Sequence, residues 1–261
     1  METLKGKVAL VTGAGSGIGE AIAIAYAAEG ADLAISDIDQ AWARRTAEKA
    51  VALGARAVGI RADCGDVASI NDMVSRTVAE FGRVDIIVNN AGVTRPAYIM
   101  DLNEEDWDKT HRVNAKGVFF CIQAAAREMI RQGDGGRVIN IASIAGRGYS
   151  GASNAIYAAS KGAVIALTKT ASQQLGRHNI NVNSICPGAT LTELATSVYE
   201  LAARESGVTL EQMVSEAQKR IPIGRANSAE DIAAMAVFLA STGARNITGQ
   251  CYNVDGGQVP S

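Results

Sequence analysis

The chain has 261 residues, of which 48% are hydrophobic and 20% are charged, and its formal net charge is −2. These values are typical of a globular protein, and they exclude the basic field that binds nucleic acid or an anionic membrane surface. A chain of this length buries a substantial core without disulfides or metals.

Short apolar and β-branched runs alternate with longer helical patterns along the whole chain. The predicted strands are Lys7–Thr12, Asp32–Asp37, Arg56–Asp63, Val84–Gly92, Arg137–Ser143, Ile180–Gly188 and Gly249–Gly257. The predicted helices are 17–30, 40–53, 67–81, Glu104–Arg131, 154–167 and 229–241. The strands show little polar alternation and most are followed by a helix, which indicates a parallel sheet covered on both faces. We therefore expect one doubly wound α/β domain over residues 1–261.

One long insertion, Ala189–Arg225, separates the sixth predicted strand from the last predicted helix. Insertions of this length tend to be lids or binding loops. We predict that it forms a lid over a substrate.

The four cysteines are far apart and form no C-x-x-C pair, so neither a zinc site nor a disulfide framework is expected. The start of the chain lacks the pattern of a signal peptide. No apolar run approaches the ~18 residues that span a bilayer. We therefore expect a soluble, cytoplasmic protein without a bound metal, a nucleic-acid partner or a membrane partner.

A glycine-rich turn, LVTGAGSGIGEA, joins the first predicted strand to the first helix. Its pattern is T-G-x-x-x-G-x-G, formed by Thr12, Gly13, Gly17 and Gly19. Glycines let the backbone approach a pyrophosphate, and the free N–H groups of the following helix attract it. A tight turn without a ligand is the alternative. The position of the turn at the carboxyl end of a strand favours the phosphate site.

Asp37 ends the second predicted strand, about 20 residues beyond the turn, where a carboxylate accepts hydrogen bonds from the adenosine ribose. A carboxylate there repels a 2′-phosphate, and neither Ser16 nor Ile38 supplies a base. Arg44 and Arg45 lie further along the next helix, where we expect them to be solvated. The sequence therefore predicts NAD(H) rather than NADP(H) as the cofactor.

Tyr157 and Lys161 lie four residues apart in the helical stretch NAIYAASKGAVIAL, so both project from one face. Such a pair also occurs by chance in many helices. Its company decides between the two interpretations. Five motifs follow one another: T-G-x-x-x-G-x-G, NNAG at Asn89–Gly92, Ser143 in NIASIAG, Y-x-x-x-K at Tyr157–Lys161, and Pro187–Gly188.

Together these motifs resemble the short-chain dehydrogenase/reductase family, over about Lys5–Gly257. The resemblance implies a single Rossmann-type domain with a seven-stranded parallel sheet. It implies an NAD-dependent enzyme that acts on CH–OH groups. It also implies a homotetramer or a dimer, packed through the helices that hold Asn114 and Tyr157.

The same resemblance implies the residues of the site. Asn114, Ser143, Tyr157 and Lys161 form a catalytic tetrad, in which Asn114 holds a water in a proton relay. Asp63 contacts the adenine beside the main chain of Cys64, Asn89 and Ala91 line the adenosine side, and Gly92 lines the path to the nicotinamide. Thr190 or Thr192 joins the main chain of Pro187 and Gly188 at the nicotinamide end. The predicted cofactor contacts are Gly13, Ser16, Gly17, Ile18, Gly19, Asp37, Asp63, Cys64, Asn90, Ala91, Gly92, Tyr157, Lys161, Pro187, Gly188, Thr190 and Thr192.

Hydride chemistry at a carbonyl needs a proton donor or acceptor beside the reacting oxygen. The ordinary pKa of tyrosine is ~10, and the Lys161 ammonium and an oxidised nicotinamide both favour the phenolate of Tyr157. Lowering that pKa by roughly three units needs about 4 kcal/mol, within reach of two nearby cations in a closed site. Lys161 also reaches the nicotinamide ribose, and Ser143 donates to the substrate oxygen as charge develops.

Several residues have plainer interpretations. Ser143 as a strand-end hydroxyl and Asn114 as a mid-helix amide are alternatives to the tetrad; a kink at Asn114, a poor helix former, would suit a water site. His111 and His178 belong to no motif, and we expect no chemical role for them. Trp107 and Phe119–Phe120 are expected in the core or in subunit contacts.

The predicted substrate walls mix polar side chains with two aromatic rings: Thr94, Arg95, Tyr98, Arg147, Tyr149, Ser150, Ser153, Asn154 and Glu193. This mixture favours a small polyhydroxylated substrate. The C-terminal stretch is similar to sugar, polyol and diol dehydrogenases of the family and also to 3-oxoacyl-carrier-protein reductases, which usually prefer NADPH. We predict oxidation of a sugar, polyol or small diol. A non-catalytic NAD-binding regulator and a decarboxylating or epimerising enzyme stay as alternatives, and the complete tetrad favours an enzyme.

Overall fold

The computed structural model describes residues 3–149, 153–191, 203 and 206–260. Its strands are β1 (Val8–Thr12), β2 (Asp32–Asp37), β3 (Ala57–Arg61), β4 (Ile86–Asn89), β5 (Gly136–Ile141), β6 (Ile180–Pro187) and β7 (Cys251–Val254). Its helices are α1 (Gly17–Ala28), α2 (Gln40–Ala52), α3 (Val67–Phe81), α4 (Glu104–His111), α5 (Val118–Gln132), α6 (Ala155–Leu175), α7 (Leu210–Lys219) and α8 (Ala229–Ala240).

The seven strands form one sheet in the order β3-β2-β1-β4-β5-β6-β7, and every neighbouring pair is parallel. The predicted doubly wound parallel sheet is thereby confirmed. The strand order reverses between β1 and β4, where open sheets of this kind form a crevice at the carboxyl ends of the strands.

Two apolar clusters cover the two faces of the sheet. Alternate strand residues divide between them: Val11 and Val88 belong to one cluster, and Leu10 and Ile87 belong to the other. Helices α1, α2 and α8 pack on the first cluster, and α3, α5 and α6 pack on the second. This burial on both faces explains why the strand sequences lack polar alternation.

Side chains fix the helix ends that hold the sheet edges. Asp39 caps α2, Asp66 caps α3 and Asn154 caps α6, each by accepting a backbone N–H of the first turn. Gly82 and Gly133 end α3 and α5 with positive φ angles of 80° and 81°.

The predicted continuous helix Glu104–Arg131 is wrong in its middle. A π-helical segment at Arg112–Gly117, which we call the π segment, separates α4 from α5. Gly117 explains the wider turn, since a Cβ there would lie 2.2 Å from the Cys64 carbonyl oxygen. The segment therefore packs directly against the loop that follows β3.

Candidate active site

A cleft of about 650 Å³ opens at the carboxyl ends of the strands. Most of the predicted cofactor residues line it: Gly13, Ser16, Gly17, Ile18, Asp37, Asp63, Cys64, Asn90, Ala91, Gly92, Tyr157, Lys161, Pro187, Gly188 and Thr190. Gly19 lies behind the lining, and Thr192 lies outside the described residues. The sheet therefore brings segments from the whole chain to one surface.

The glycine-rich turn forms the floor of one end of the cleft. Gly13 has a φ of 60°, and a Cβ there would lie 2.8 Å from the Ala91 Cα. A Cβ on Gly19 would lie 2.3 Å from the Gly13 carbonyl oxygen. Ser16 precedes α1 without a side-chain cap, so the first N–H groups of the helix stay available. This cradle fits a dinucleotide pyrophosphate.

Thr12 and Asn90 join the glycine-rich turn to the end of β4. Thr12 Oγ1 accepts the N–H groups of Asn90 and Ala91, both at 3.1 Å. The Asn90 amide donates to the carbonyls of Thr12 and Gly13 at 3.0 and 2.8 Å. Asn89, by contrast, is buried, donates to Asn140 Oδ1 at 2.8 Å and does not line the cleft. The NNAG motif thus holds two loops in register.

Asp37 lines the cleft with both carboxylate oxygens oriented by main-chain donors. Oδ2 accepts from Gly15 N at 2.9 Å and Oδ1 accepts from Asp39 N at 3.1 Å. Each oxygen keeps a lone pair for a ribose hydroxyl. Arg45, expected in solvent, instead donates from Nη2 to the Gly15 carbonyl at 3.1 Å, although the residue as a whole is exposed.

Asp63 occupies the predicted adenine end and is held from two sides. Its Oδ1 accepts from Gly65 N at 2.7 Å, and its Oδ2 accepts from Arg112 Nη1 at 3.3 Å. Arg112 belongs to the π segment, so this segment touches the adenine end of the cleft. Its role there has no sequence motif, and only the fold reveals it.

Ser143 and Tyr157 meet at the other end of the cleft. Gly146 sets their distance, because a Cβ there would lie 2.6 Å from the carbonyl carbon of Lys161 and would push the turn off α6. A hydrogen bond with Ser143 favours ionisation of Tyr157, but burial outweighs it and raises the pKa of Tyr157 to about 12. The protein alone therefore keeps the phenol protonated at neutral pH.

Lys161 is 4% exposed, and its Nζ donates to the Ile141 carbonyl at 2.7 Å. Burial lowers the pKa of Lys161 to about 8, so the ammonium form persists at pH 7. Nζ lies 5.6 Å from the centroid of the Tyr157 ring. The expectation that this ammonium by itself lowers the pKa of Tyr157 is not met, because desolvation dominates.

Asn114 is fully buried within the π segment and does not line the cleft. Its Oδ1 accepts from Val93 N at 2.8 Å, and its Nδ2 donates to the Val93 carbonyl at 2.9 Å and to Ser160 Oγ at 3.1 Å. The amide thus ties the strand-β4 loop to α6. The predicted water relay stays a prediction, and any water there has to use main-chain groups, because both amide protons are occupied.

Comparison with known proteins places this geometry in a family. The sequence profile of a family described as enoyl-(acyl carrier protein) reductase matches residues 13–258, nearly the whole chain. A crystal structure of a short-chain type dehydrogenase/reductase from Mycobacterium marinum has a TM-score of 0.90 at 33% identity, and the match covers 100% of this chain and 98% of that one. The chain belongs to the short-chain dehydrogenase/reductase family.

Curated relatives agree with this membership. A sorbitol dehydrogenase of Cereibacter sphaeroides is 42% identical over 97% of this chain and 98% of its own length. A galactitol 2-dehydrogenase of Agrobacterium fabrum is 41% identical with the same coverage. A 3-oxoacyl-[acyl-carrier-protein] reductase of Thermotoga maritima is 38% identical over 98% of this chain and 99% of its own length.

The protein is therefore a short-chain oxidoreductase that transfers hydride at CH–OH or carbonyl groups with a nicotinamide cofactor. Among the helices of the described residues, none is long and apolar enough to cross a membrane. Within the same residues, no cluster of three or more His, Cys, Asp or Glu side chains is arranged to hold a metal ion.

The predicted substrate walls of this dehydrogenase are only partly placed at the cleft. Tyr149 lines it. The others that the structure describes have different tasks: Thr94 and Ser153 bond to each other, Asn154 caps α6, Arg95 pairs with Asp106, Arg147 donates to the Cys251 carbonyl, and Tyr98 is 71% exposed. Ser150 and Glu193 lie outside the described residues.

The dehydrogenase cleft contains residues that the sequence did not predict individually. Met213, Glu216 and Arg220 line it from α7 and the residue after it, within the predicted lid region. Gln258 lines it from the C-terminal tail and accepts from Ala189 N at 3.2 Å. The length of the insertion was the one available signal for α7, and no motif marks Gln258.

The aromatic and histidine predictions have mixed outcomes. Trp107 is 48% exposed and stacks on His111 at 4.0 Å between ring centroids, so its predicted place in the core is wrong. Phe119 is 44% exposed, and Phe120 packs against the second apolar cluster. Neither histidine lines the cleft.

Proposed function

We propose that the protein is an NAD-dependent dehydrogenase that oxidises a secondary alcohol in a sugar, polyol or small diol. The observation that carries the proposal is the orientation of Asp37 at the cleft. Main-chain donors hold both carboxylate oxygens so that each still accepts a ribose hydroxyl. The same negative charge opposes a 2′-phosphate.

The chemistry divides between the cofactor and three side chains. When bound, the oxidised nicotinamide supplies the hydride acceptor and a positive charge. Tyr157 takes the proton of the substrate hydroxyl, and Lys161 favours its phenolate together with that charge. Ser143 accepts from Ala145 N at 3.1 Å, which leaves its own proton for the substrate oxygen.

The polyol assignment draws on the cleft wall and on the relatives. Tyr149, Glu216, Arg220 and Gln258 line the cleft and offer hydrogen bonds to several hydroxyl groups of one substrate. Both polyol dehydrogenases described above match over nearly their full length. A lid over residues 189–225 and a cytoplasmic location complete the proposal.

A screen of NADH absorbance tests the proposal. Purified protein is incubated with polyols, sugars and simple secondary alcohols, each with NAD and with NADP at neutral and alkaline pH. We expect turnover of a polyhydroxylated substrate with a higher kcat/KM for NAD than for NADP. Equal or better kcat/KM with NADP contradicts the cofactor assignment, and turnover of simple alcohols only contradicts the substrate class.

A 3-oxoacyl-carrier-protein reductase is the second candidate, favoured by the Thermotoga maritima relative. Asp37 separates the two, because that activity usually goes with NADPH. NADPH-dependent reduction of an acetoacetyl thioester, without polyol oxidation, would support this candidate instead.

A further inference from the structure

Gly15 lies where three side chains meet that the sequence does not place together: Asp37, Trp42 and Arg45. Its N–H donates to Asp37 Oδ2 at 2.9 Å, and its carbonyl accepts from Arg45 Nη2 at 3.1 Å. A Cβ on Gly15 would lie 2.6 Å from Trp42 Cβ and 2.8 Å from Asp37 Oδ2. A single residue therefore separates the Arg45 guanidinium from the Asp37 carboxylate.

Arg45 retains donors that the fold does not use. A guanidinium has five N–H donors, and the bond to Gly15 is the one polar contact of Arg45 within the described residues. Its Cζ lies 5.8 Å from the centroid of the Trp42 ring. The ring and the Gly15 carbonyl thus fix the position of the guanidinium, while the residue stays exposed.

A phosphate on the 2′-oxygen of the ribose would extend from the Asp37 end of the cleft toward solvent. Arginine is the residue best suited to a phosphate there, because its donors match phosphate oxygens pairwise. In the native chain the Asp37 carboxylate lies between the phosphate position and this cation, and its repulsion of the phosphate opposes the attraction of Arg45.

We propose that Arg45 is a second cofactor-specificity residue. It holds Gly15 of the glycine-rich turn in place, and it is the cation that a 2′-phosphate meets once the Asp37 carboxylate is removed. NAD preference then depends on one negative charge rather than on the absence of a base. The inference rests on the proposed function only in its assignment of NAD as the preferred cofactor.

Arg44 is a matched control. It is the adjacent, equally exposed arginine of α2, and its main chain packs against Gly59 of β3 rather than near Gly15. A substitution of Arg44 removes the same charge from the same helix and leaves the Gly15 contact intact.

The test is a binding titration of NADH and NADPH, followed by fluorescence and without substrate. The variants are Asp37→Asn alone and combined with Arg45→Gln or with Arg44→Gln. Asparagine keeps the shape of Asp37 and still accepts the Gly15 N–H. We expect Asp37→Asn to tighten NADPH binding about tenfold, Arg45→Gln to abolish most of that gain, and Arg44→Gln to preserve it.

Two results would overturn the inference: a gain that survives Arg45→Gln, or an equal loss with Arg44→Gln. No gain in Asp37→Asn overturns it as well, and Asp37→Ser repeats the test if the first variant does not fold. In the native background, Arg45→Gln should weaken NADH binding about threefold, and Arg45→Lys should restore part of the loss. Because no substrate is present, failure of polyol oxidation leaves this result intact. Native protein that prefers NADPH contradicts the proposed function and the inference together, whereas the variant results concern Arg45 alone.

Discussion

At the scale of single residues, burial decides the protonation of the catalytic pair. Tyr157 is protonated in the protein alone because its surroundings exclude water, and Lys161 stays charged at pH 7 because its lowered pKa is still about 8. Adjacent cations lower the pKa of a phenol only when their attraction exceeds the desolvation of the phenolate. The positive nicotinamide ring is therefore required for ionisation of Tyr157.

Replacement of Tyr157 by phenylalanine should remove the proton acceptor and leave the shape of the cleft. We expect kcat to fall at least about 10³-fold, with the Kd for NADH changed by less than about twofold. Steady-state kinetics and a fluorescence titration measure the two effects. Tyr252→Phe in β7 is the control and should retain native kcat. Activity above a few percent in Tyr157→Phe would exclude Tyr157 as the acid–base.

Lys161 should also make the stability of the cofactor-free protein depend on pH. Between pH 8 and 10.5 the buried amine has lost a proton that the unfolded chain still holds, so the free energy of unfolding rises with pH. The rise relative to Lys161→Met should approach about 3 kcal/mol across this window.

Urea unfolding at a series of pH values measures the difference between native protein and Lys161→Met. Lys169→Met, an exposed position of the same helix, is the control, and its difference from native protein should stay constant. A flat profile for the Lys161→Met comparison would contradict the buried, titrating amine.

At the scale of elements, the π segment links both ends of the cleft. Arg112 contacts Asp63 at the predicted adenine end, and Asn114 contacts Val93 and Ser160 near the catalytic pair. π-helical turns are rare and concentrate at functional sites. The wider turn places both side chains on the cleft side of a helix that otherwise packs on the sheet.

Asn114→Ala should destabilise the protein by about 2 to 3 kcal/mol, because it leaves the buried Val93 N–H and carbonyl without partners. Urea unfolding measures this loss, and kcat should fall with it as the loop after β4 loosens. Arg131→Ala breaks a surface pair with Glu128 on α5 and should cost under about 1 kcal/mol. Equal losses in the two variants would mean that the Asn114 contacts contribute nothing special.

At the scale of the whole molecule, the outer surface of α4 and α5 carries exposed aromatic rings. Trp107 is 48% exposed and Phe119 is 44% exposed. Large exposed aromatic side chains on one surface mark candidate protein interfaces. They support the predicted homotetramer or dimer, packed through these helices.

Size-exclusion chromatography with light scattering should show a tetramer or a dimer of the native chain. Phe119→Glu should lower the molar mass, because it buries a charge in the proposed interface. Val51→Glu, at a 52% exposed position of α2, should not change it. A monomeric native protein would refute the prediction.

The sequence by itself determined the parallel sheet, the glycine-rich turn and the Ser143, Tyr157 and Lys161 set. These features depend on local periodicity, on glycine conformations and on short motifs, which the order of residues contains directly. Asp37 as the end of the second strand was also readable, because its distance from the turn is fixed by one βαβ unit.

Only the tertiary structure decided the π segment, the contact of Arg45 with Gly15, and the place of Gln258 at the cleft. Each joins residues that are distant in the chain through side-chain packing, which no local pattern specifies. The protonation of Tyr157 belongs here too, because desolvation is a property of everything that surrounds the hydroxyl rather than of the helical spacing to Lys161.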